Sequence, residues 1–154
     1  MAHRESAGII LYRRGDAGLE VLLVHPGGPF WVRRDEGAWS IPKGEFADPE
    51  PAEEAARREF AEETGIALTA PLTPLPPIAQ SRAKTIHPFA AERDFDPSQL
   101  RSNLFEMEWP PRSGRMREFP EVDRAAWFGL AEARVKLNPA QAAFVDRFEA
   151  LRDA

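Results

Sequence analysis

The sequence contains no cysteine, which removes disulfides, thiolate metal sites and cysteine nucleophiles from consideration. It has no long apolar run: stretches such as Ala7 to Tyr12 and Val21 to Val24 fall far short of the roughly 20 residues that span a bilayer. Met1 to Ser6 lacks the apolar core of a secretory signal. There is no excess of positive charge either. With 20 Lys and Arg against 25 Asp and Glu, the net charge is −5, which argues against a broad surface for a nucleic-acid polymer. A phosphorylated small molecule remains compatible, because divalent cations can bridge an acidic pocket to phosphates. No internal repeat, low-complexity tract or Asp-rich loop of the EF-hand type occurs. What remains is a soluble, cytoplasmic protein without a membrane partner. Its 154 residues suit one domain, 1–154, and 43% apolar content supplies a core.

Ser6 to Arg13 and Leu19 to His25 are apolar and β-favouring, and Arg14 to Gly18 separates them, which predicts a hairpin. Pro26-Gly27-Gly28-Pro29 ends the second strand. Pro51 to Thr64 is the clearest helix, with Pro51 at its first position and Gly65 as its stop. Ala70 to Pro77 holds four prolines and reads as a loop or extended edge. Ile78 to Ala91, Asn103 to Trp109 and Ala125 to Phe128 read as strands, and Pro110 to Pro120 as a basic loop. Asn138-Pro139 caps a final helix, with Ala142, Val145, Phe148 and Leu151 on one face. Two helices and several strands imply an α/β sandwich around a mixed sheet rather than a doubly wound fold.

Gly44 to Ile66, GEFADPEPAEEAARREFAEETGI, carries seven glutamates. A solvated acidic helix face is the ordinary explanation for such a run, but the helical phase opposes it. At about 100° per residue, Ala52, Ala56, Phe60 and Glu63 share a stripe roughly 80° wide, with Glu59 beside it. Phe60 is the helix's one large apolar side chain, so this stripe faces the protein. Glu59 and Glu63, at i and i+4, are then neighbours turned inward, where they repel and lose hydration unless a cation lies between them. A Mg²⁺ or Mn²⁺ site of hard oxygen ligands resolves the conflict, and Glu62 lies at the edge of the same face. Gly44 lets the preceding turn approach a ligand, so the Lys43 carbonyl can add an oxygen. Glu50 and Arg58 pair either as a pin between loop and helix or as an exposed bridge of little energy.

The same segment resembles the signature of the Nudix hydrolase family, G-x5-E-x7-R-E-U-x-E-E-x-G-U, where U is a bulky aliphatic or aromatic residue. Gly44, Glu50, Arg58, Glu59, Phe60, Glu62, Glu63, Gly65 and Ile66 meet every fixed position, with Phe60 where an aliphatic residue is commoner. SAGIILYRR, WSIPKGE and EVDRAAWFGLAEA are also similar to Nudix sequence. The resemblance implies an α/β/α sandwich with a mixed sheet and metal ligation by Glu59, Glu62, Glu63 and the Lys43 carbonyl. It further implies a structural Glu50–Arg58 pair, a loop glycine at Gly44, and hydrolysis of a diphosphate linkage in a nucleoside-diphosphate-X substrate. Carboxylates that hold divalent ions activate water and clamp the charge that develops on phosphate.

Outside that segment the sequence offers candidates with ordinary alternatives. Glu59 is one candidate general base; Glu106 and Glu108, on one face of a strand, are others and also candidate substrate contacts, unless that face is an exposed edge. Arg82, Lys84 and His87, with Arg112, Arg115 and Arg117, can grip distal phosphates, though each alone suits a surface. Phe30, Trp31 and Trp39 can stack on a base, and Trp39 equally suits the core. W-x-x-P-K-G-E resembles dinucleoside polyphosphate hydrolases, favouring a dinucleoside polyphosphate or a nucleoside triphosphate. A catalytically silent nucleotide-binding module of the same fold is the alternative; the full set of acids disfavours it.

Overall fold

In the computed structural model, whose described residues are 3–153, the two N-terminal apolar runs become β1 (Arg4–Gly15) and β2 (Gly18–Pro26), paired antiparallel. They are joined in a seven-stranded sheet by β3 (Lys43–Phe46), β4 (Thr73–Pro74), β5 (Ile78–Ser81), β6 (Lys84–Glu92) and, later in the chain, β9 (Val122–Gly129). The order is β4-β6-β1-β2-β9, with β3 paired to β1 and β5 to β6. β1 and β6 run parallel from Arg4↔Lys84 to Tyr12↔Glu92, while the other pairs are antiparallel, so the sheet is mixed. β7 (Leu104–Glu108) and β8 (Met116–Pro120) form a separate two-stranded ribbon.

Strand alternation builds two cores. Ala7, Ile9 and Leu11 of β1, with Leu22 of β2, meet Ala55, Ala56 and Phe60 of α1 (Ala52–Thr64) on one face. Ile10, Val21 and Leu23 face the other way. They pack with Ala133 of α2 (Leu130–Lys136), Leu137 after it, and Phe144, Val145 and Phe148 of α3 (Ala143–Asp153). Helices thus cover both faces of a mixed sheet: the α/β/α sandwich expected from the sequence. No helix among the described residues is long and apolar enough to cross a membrane.

Five local differences from the sequence reading have clear causes. Lys43–Phe46 is a strand because β1 supplies its partners, Gly8↔Lys43 through Glu5↔Phe46. Ile78 to Ala91 is two antiparallel strands, with Arg82 and Ala83 in the turn between Ser81 and Lys84. The end of the basic loop, Met116–Pro120, pairs along the whole of β7. A third helix, α2, forms from a segment that buries only Ala133. Asn138 caps a short 3₁₀ turn, Pro139–Gln141, by accepting from Ala140 N at 2.9 Å, and α3 starts afterwards at Ala143.

Candidate functional site

α1 positions the site. Pro51 sits just before its first turn and its carbonyl accepts from Ala55 N at 3.0 Å. The helix ends at Gly65, whose φ of 85° is a left-handed conformation suited to glycine. Between these stops, Ala55, Ala56 and Phe60 are completely buried, which fixes the helix's rotation. Rotation then decides the acids. Glu59, next to Phe60, is 8% exposed, and Glu63 one turn on is half-buried.

Gly44 allows this arrangement. A Cβ at that position would lie 2.0 Å from the Glu59 carboxyl, so a side chain there would displace it. Arg58 ties the loop to the helix through Nε to Glu50 Oε2 at 2.8 Å and Nη2 to Glu50 Oε1 at 3.0 Å. Its Nη1 donates to Glu59 Oε1 at 2.8 Å and to Glu62 Oε1 at 3.3 Å, and Nη2 to the Glu45 carbonyl at 3.3 Å. Hydrogen bonds to Glu50 chiefly raise the Arg58 pKa, and Arg58 lowers that of Glu50. A fork gripping one carboxylate and reaching three further groups is a pin rather than an incidental surface bridge.

Glu63 lines a cavity of about 160 Å³ with Val24, Pro26, Ser40, Lys43, Glu121 and Val122. Lys43 N donates to its Oε1 at 3.4 Å. Burial pushes the Glu63 carboxyl up to about 8, opposed by the Lys43 charge and assisted by Glu59 and Glu121. Burial also raises Glu59, against the Arg58 hydrogen bond and with Glu62 adding repulsion. Glu121 is raised by burial and then by Glu62. The Lys43 ammonium is pushed down by burial, held up by Glu63 and depressed again by nearby Lys84.

Glu121 is the residue that sequence reasoning missed. It heads the EVDRAAWFGLAEA run, from which no site residue was drawn, and lies between Pro120 and Val122, immediately before β9. The fold brings it to the wall opposite α1, where it feels the charges of Glu59, Glu62 and Glu63.

As they stand, no three His, Asp or Glu side chains among the described residues converge on one point, and Arg58 Nη1 lies between Glu59 and Glu62. The donor set nevertheless suits a hard divalent cation. It consists of carboxylates, of which Glu59, Glu63 and Glu121 have their pKa raised first by burial and then by neighbouring carboxylates, with Arg58 shared with Glu50 and Lys43 disfavoured as an ammonium.

Other candidates fall elsewhere. Trp39 is 3% exposed, with its ring against His25 and Phe128 and its Nε1 donating to Asp35 at 2.7 Å; it is a core residue with no free face for a base. Glu108 accepts from Arg112 N at 2.8 Å and Gly114 N at 3.2 Å, so its carboxylate closes the ribbon's own turn. Glu106 is exposed on the same face of the ribbon. Arg82 is exposed in the β5–β6 turn, whereas Lys84 is half-buried and near Lys43. His87 Nε2 is 2.6 Å from Glu5, and Arg112, Arg115 and Arg117 are exposed on the ribbon. A larger concavity of about 550 Å³, lined by Asp35, Trp39, Asp123, Arg124 and Lys136, has its charges mutually paired, Lys136 with Asp35 at 2.6 Å and Arg124 with Asp123 at 3.8 Å.

The family model described as NUDIX domain matches residues 2–148. No curated protein sequence matches the chain. Among solved structures, the NUDIX domain of Shewanella oneidensis NrtR complexed with ADP ribose has TM-score 0.66 and 17% identity, over 97% of this chain and 88% of that one. A C. elegans Ap4A hydrolase binary complex has TM-score 0.62 and 20% identity, over 97% and 98%. A mutT/nudix family protein from Listeria innocua has TM-score 0.64 and 19% identity, over 99% and 96%. At these identities the likeness is one of fold.

Proposed function

The chain belongs to the Nudix family, and on that premise we propose that it is a Mg²⁺- or Mn²⁺-dependent pyrophosphohydrolase cleaving a diphosphate linkage in a nucleoside-diphosphate-X substrate. The observation that carries the reading is the gathering of carboxylates about one cavity: Glu63 and Glu121 line it, Glu59 is buried beside Gly44, and the Arg58 guanidinium holds Glu59 and Glu62 together. Such a cluster is tolerable in a fold when cations neutralise it.

Glu59, Glu62, Glu63 and the Lys43 carbonyl would hold the metal, which when bound supplies a polarised water and neutralises the phosphates. The rest belongs to the chain. Arg58, anchored by Glu50, orients Glu59 and Glu62 from one side. Gly44 keeps the loop close enough for the Glu59 carboxyl to lie against its backbone. Glu121, facing α1 across the cavity, accepts the proton that the attacking water loses. Lys84, near Lys43, contacts an outlying phosphate. The W-x-x-P-K-G-E run and the likeness in fold to an Ap4A hydrolase favour a dinucleoside polyphosphate, with a nucleoside triphosphate second.

The test is hydrolysis of dinucleoside polyphosphates, nucleoside triphosphates and nucleotide sugars with Mg²⁺ or Mn²⁺, then with excess chelator. Activity should require the metal. Glu59→Gln and Glu63→Gln should each lower kcat by about a hundredfold or more while the fold persists. Near-wild-type turnover in both variants, or undiminished turnover in chelator, overturns the reading. A silent binding module would bind nucleotide and metal without releasing product.

A further inference from the structure

The β7–β8 ribbon stands outside the main sheet, and its two faces differ sharply. Opposed residues in antiparallel strands share a face. One face carries Phe105↔Phe119 and Met107↔Arg117, continuing to Trp109, whose N donates to the Arg115 carbonyl at 2.9 Å. The other carries Glu106↔Glu118 and Glu108↔Met116. Aromatic rings and arginines thus occupy one side; three carboxylates, with Leu104, Met116 and Pro120, occupy the other.

The aromatic face is opposed by the loop after β2. A Cβ on Gly28 would lie 3.1 Å from the Phe105 ring, and Phe30 meets Trp109 edge-on with centroids 5.5 Å apart. The loop adds Trp31, with Arg34 placed 5.5 Å from its ring centre, and Arg117 lies 5.8 Å from that of Phe119. These rings are not sealed in a core: Phe30 is 59% and Trp31 36% exposed, while Phe105, Trp109 and Phe119 are half-buried.

Loop and ribbon both root at the acidic cavity. Pro26 and Glu121 line it, and Gly27 N donates to the Glu121 carbonyl at 3.0 Å. From Glu121 the extended chain back to Arg115 covers about 20 Å at ~3.3 Å per residue. That is longer than one nucleoside diphosphate held by its phosphates at the cavity, and it suits a ligand with a second base at its far end.

We propose that this aromatic–arginine track binds the distal nucleotide of a two-ended substrate, a dinucleoside polyphosphate, its far base stacking on the exposed ring of Phe30, which Trp109 braces edge-on, and its outer phosphates meeting Arg115 and Arg117. This rests on the hydrolase reading above and gives it a specificity-determining surface. Stacking supplies affinity without reading base identity, so the track selects for length rather than for sequence. The acidic outer face repels the same ligand and restricts it to the inner side.

The experiment compares diadenosine tetraphosphate with ATP, in Mg²⁺, for the wild type, Trp109→Ala, Phe30→Ala and Arg117→Ser. Phe30 and Arg117 are exposed, so those two variants keep the test decisive if Trp109→Ala fails to fold. Each folded variant should raise KM for diadenosine tetraphosphate roughly tenfold, with kcat held and ATP kinetics unchanged. Equal changes for both substrates, or none, overturn the proposal. If the wild type hydrolyses neither, the hydrolase reading fails separately and tryptophan fluorescence decides the track. Quenching by diadenosine tetraphosphate but not by ATP then supports it, and no quenching overturns it.

Discussion

Glu63 holds its proton up to about 8 in the folded protein, mainly through burial, against an ordinary value of 4.5. Between those values the metal-free folded state binds more protons than the unfolded chain, so stability declines as pH rises through that window. Thermal unfolding in chelator should therefore show Tm falling from pH 5 to pH 8, and Glu63→Gln should flatten much of the slope. An unchanged slope in the variant would show that Glu63 is not the titrating group. Gly44 is the residue-scale counterpart. Its missing Cβ leaves the space that the Glu59 carboxyl occupies, and a Cβ there would overlap it. Gly44→Ala should displace the carboxyl by an ångström or so and lower kcat about a hundredfold, since misplacements of ~1 Å cost that much. Steady-state rates alongside circular dichroism would separate this from unfolding.

α1 holds the acids in place because the inward face they share is anchored beside them. Phe60 is fully buried against Ile9, Leu11, Ala55 and Ala56. Phe60→Ala should cost about 3–5 kcal/mol in denaturant unfolding, within the range for deleting a buried phenyl ring. A loss below 1 kcal/mol would mean that the helix is not fixed by this contact. Elements of this kind were legible in the sequence, because α1 carries its own start, stop and apolar period. β3 and β8 were not. Lys43–Phe46 and Met116–Pro120 gain their order from partners on β1 and β7, and four or five residues alone carry little periodic signal. α2 escaped for a related reason: it buries one residue, Ala133, and so lacks an apolar stripe.

Across the whole molecule, the sandwich brings Glu121 from the start of β9 to the acids of α1, and no local pattern announces that meeting. The carboxylates clustered in sequence were readable; the one supplied by topology was not, because its place depends on how β9 docks beside β2. The assembled site therefore carries a stability cost that a cation should remove. A ligand that binds only the folded state stabilises it by about 2.7 kcal/mol at a hundred times its Kd. For a chain of this length that corresponds to roughly 5–10 °C in Tm. Saturating Mg²⁺ or Mn²⁺ should raise Tm by that amount, reversibly with chelator. Glu121→Gln should act in two opposite directions. It relieves repulsion, so the metal-free protein should melt higher than wild type; it also removes attraction for the cation, so the metal-induced rise should shrink. If Glu121→Gln instead melted lower without metal and kept the full rise, Glu121 would be a structural residue outside the charge cluster.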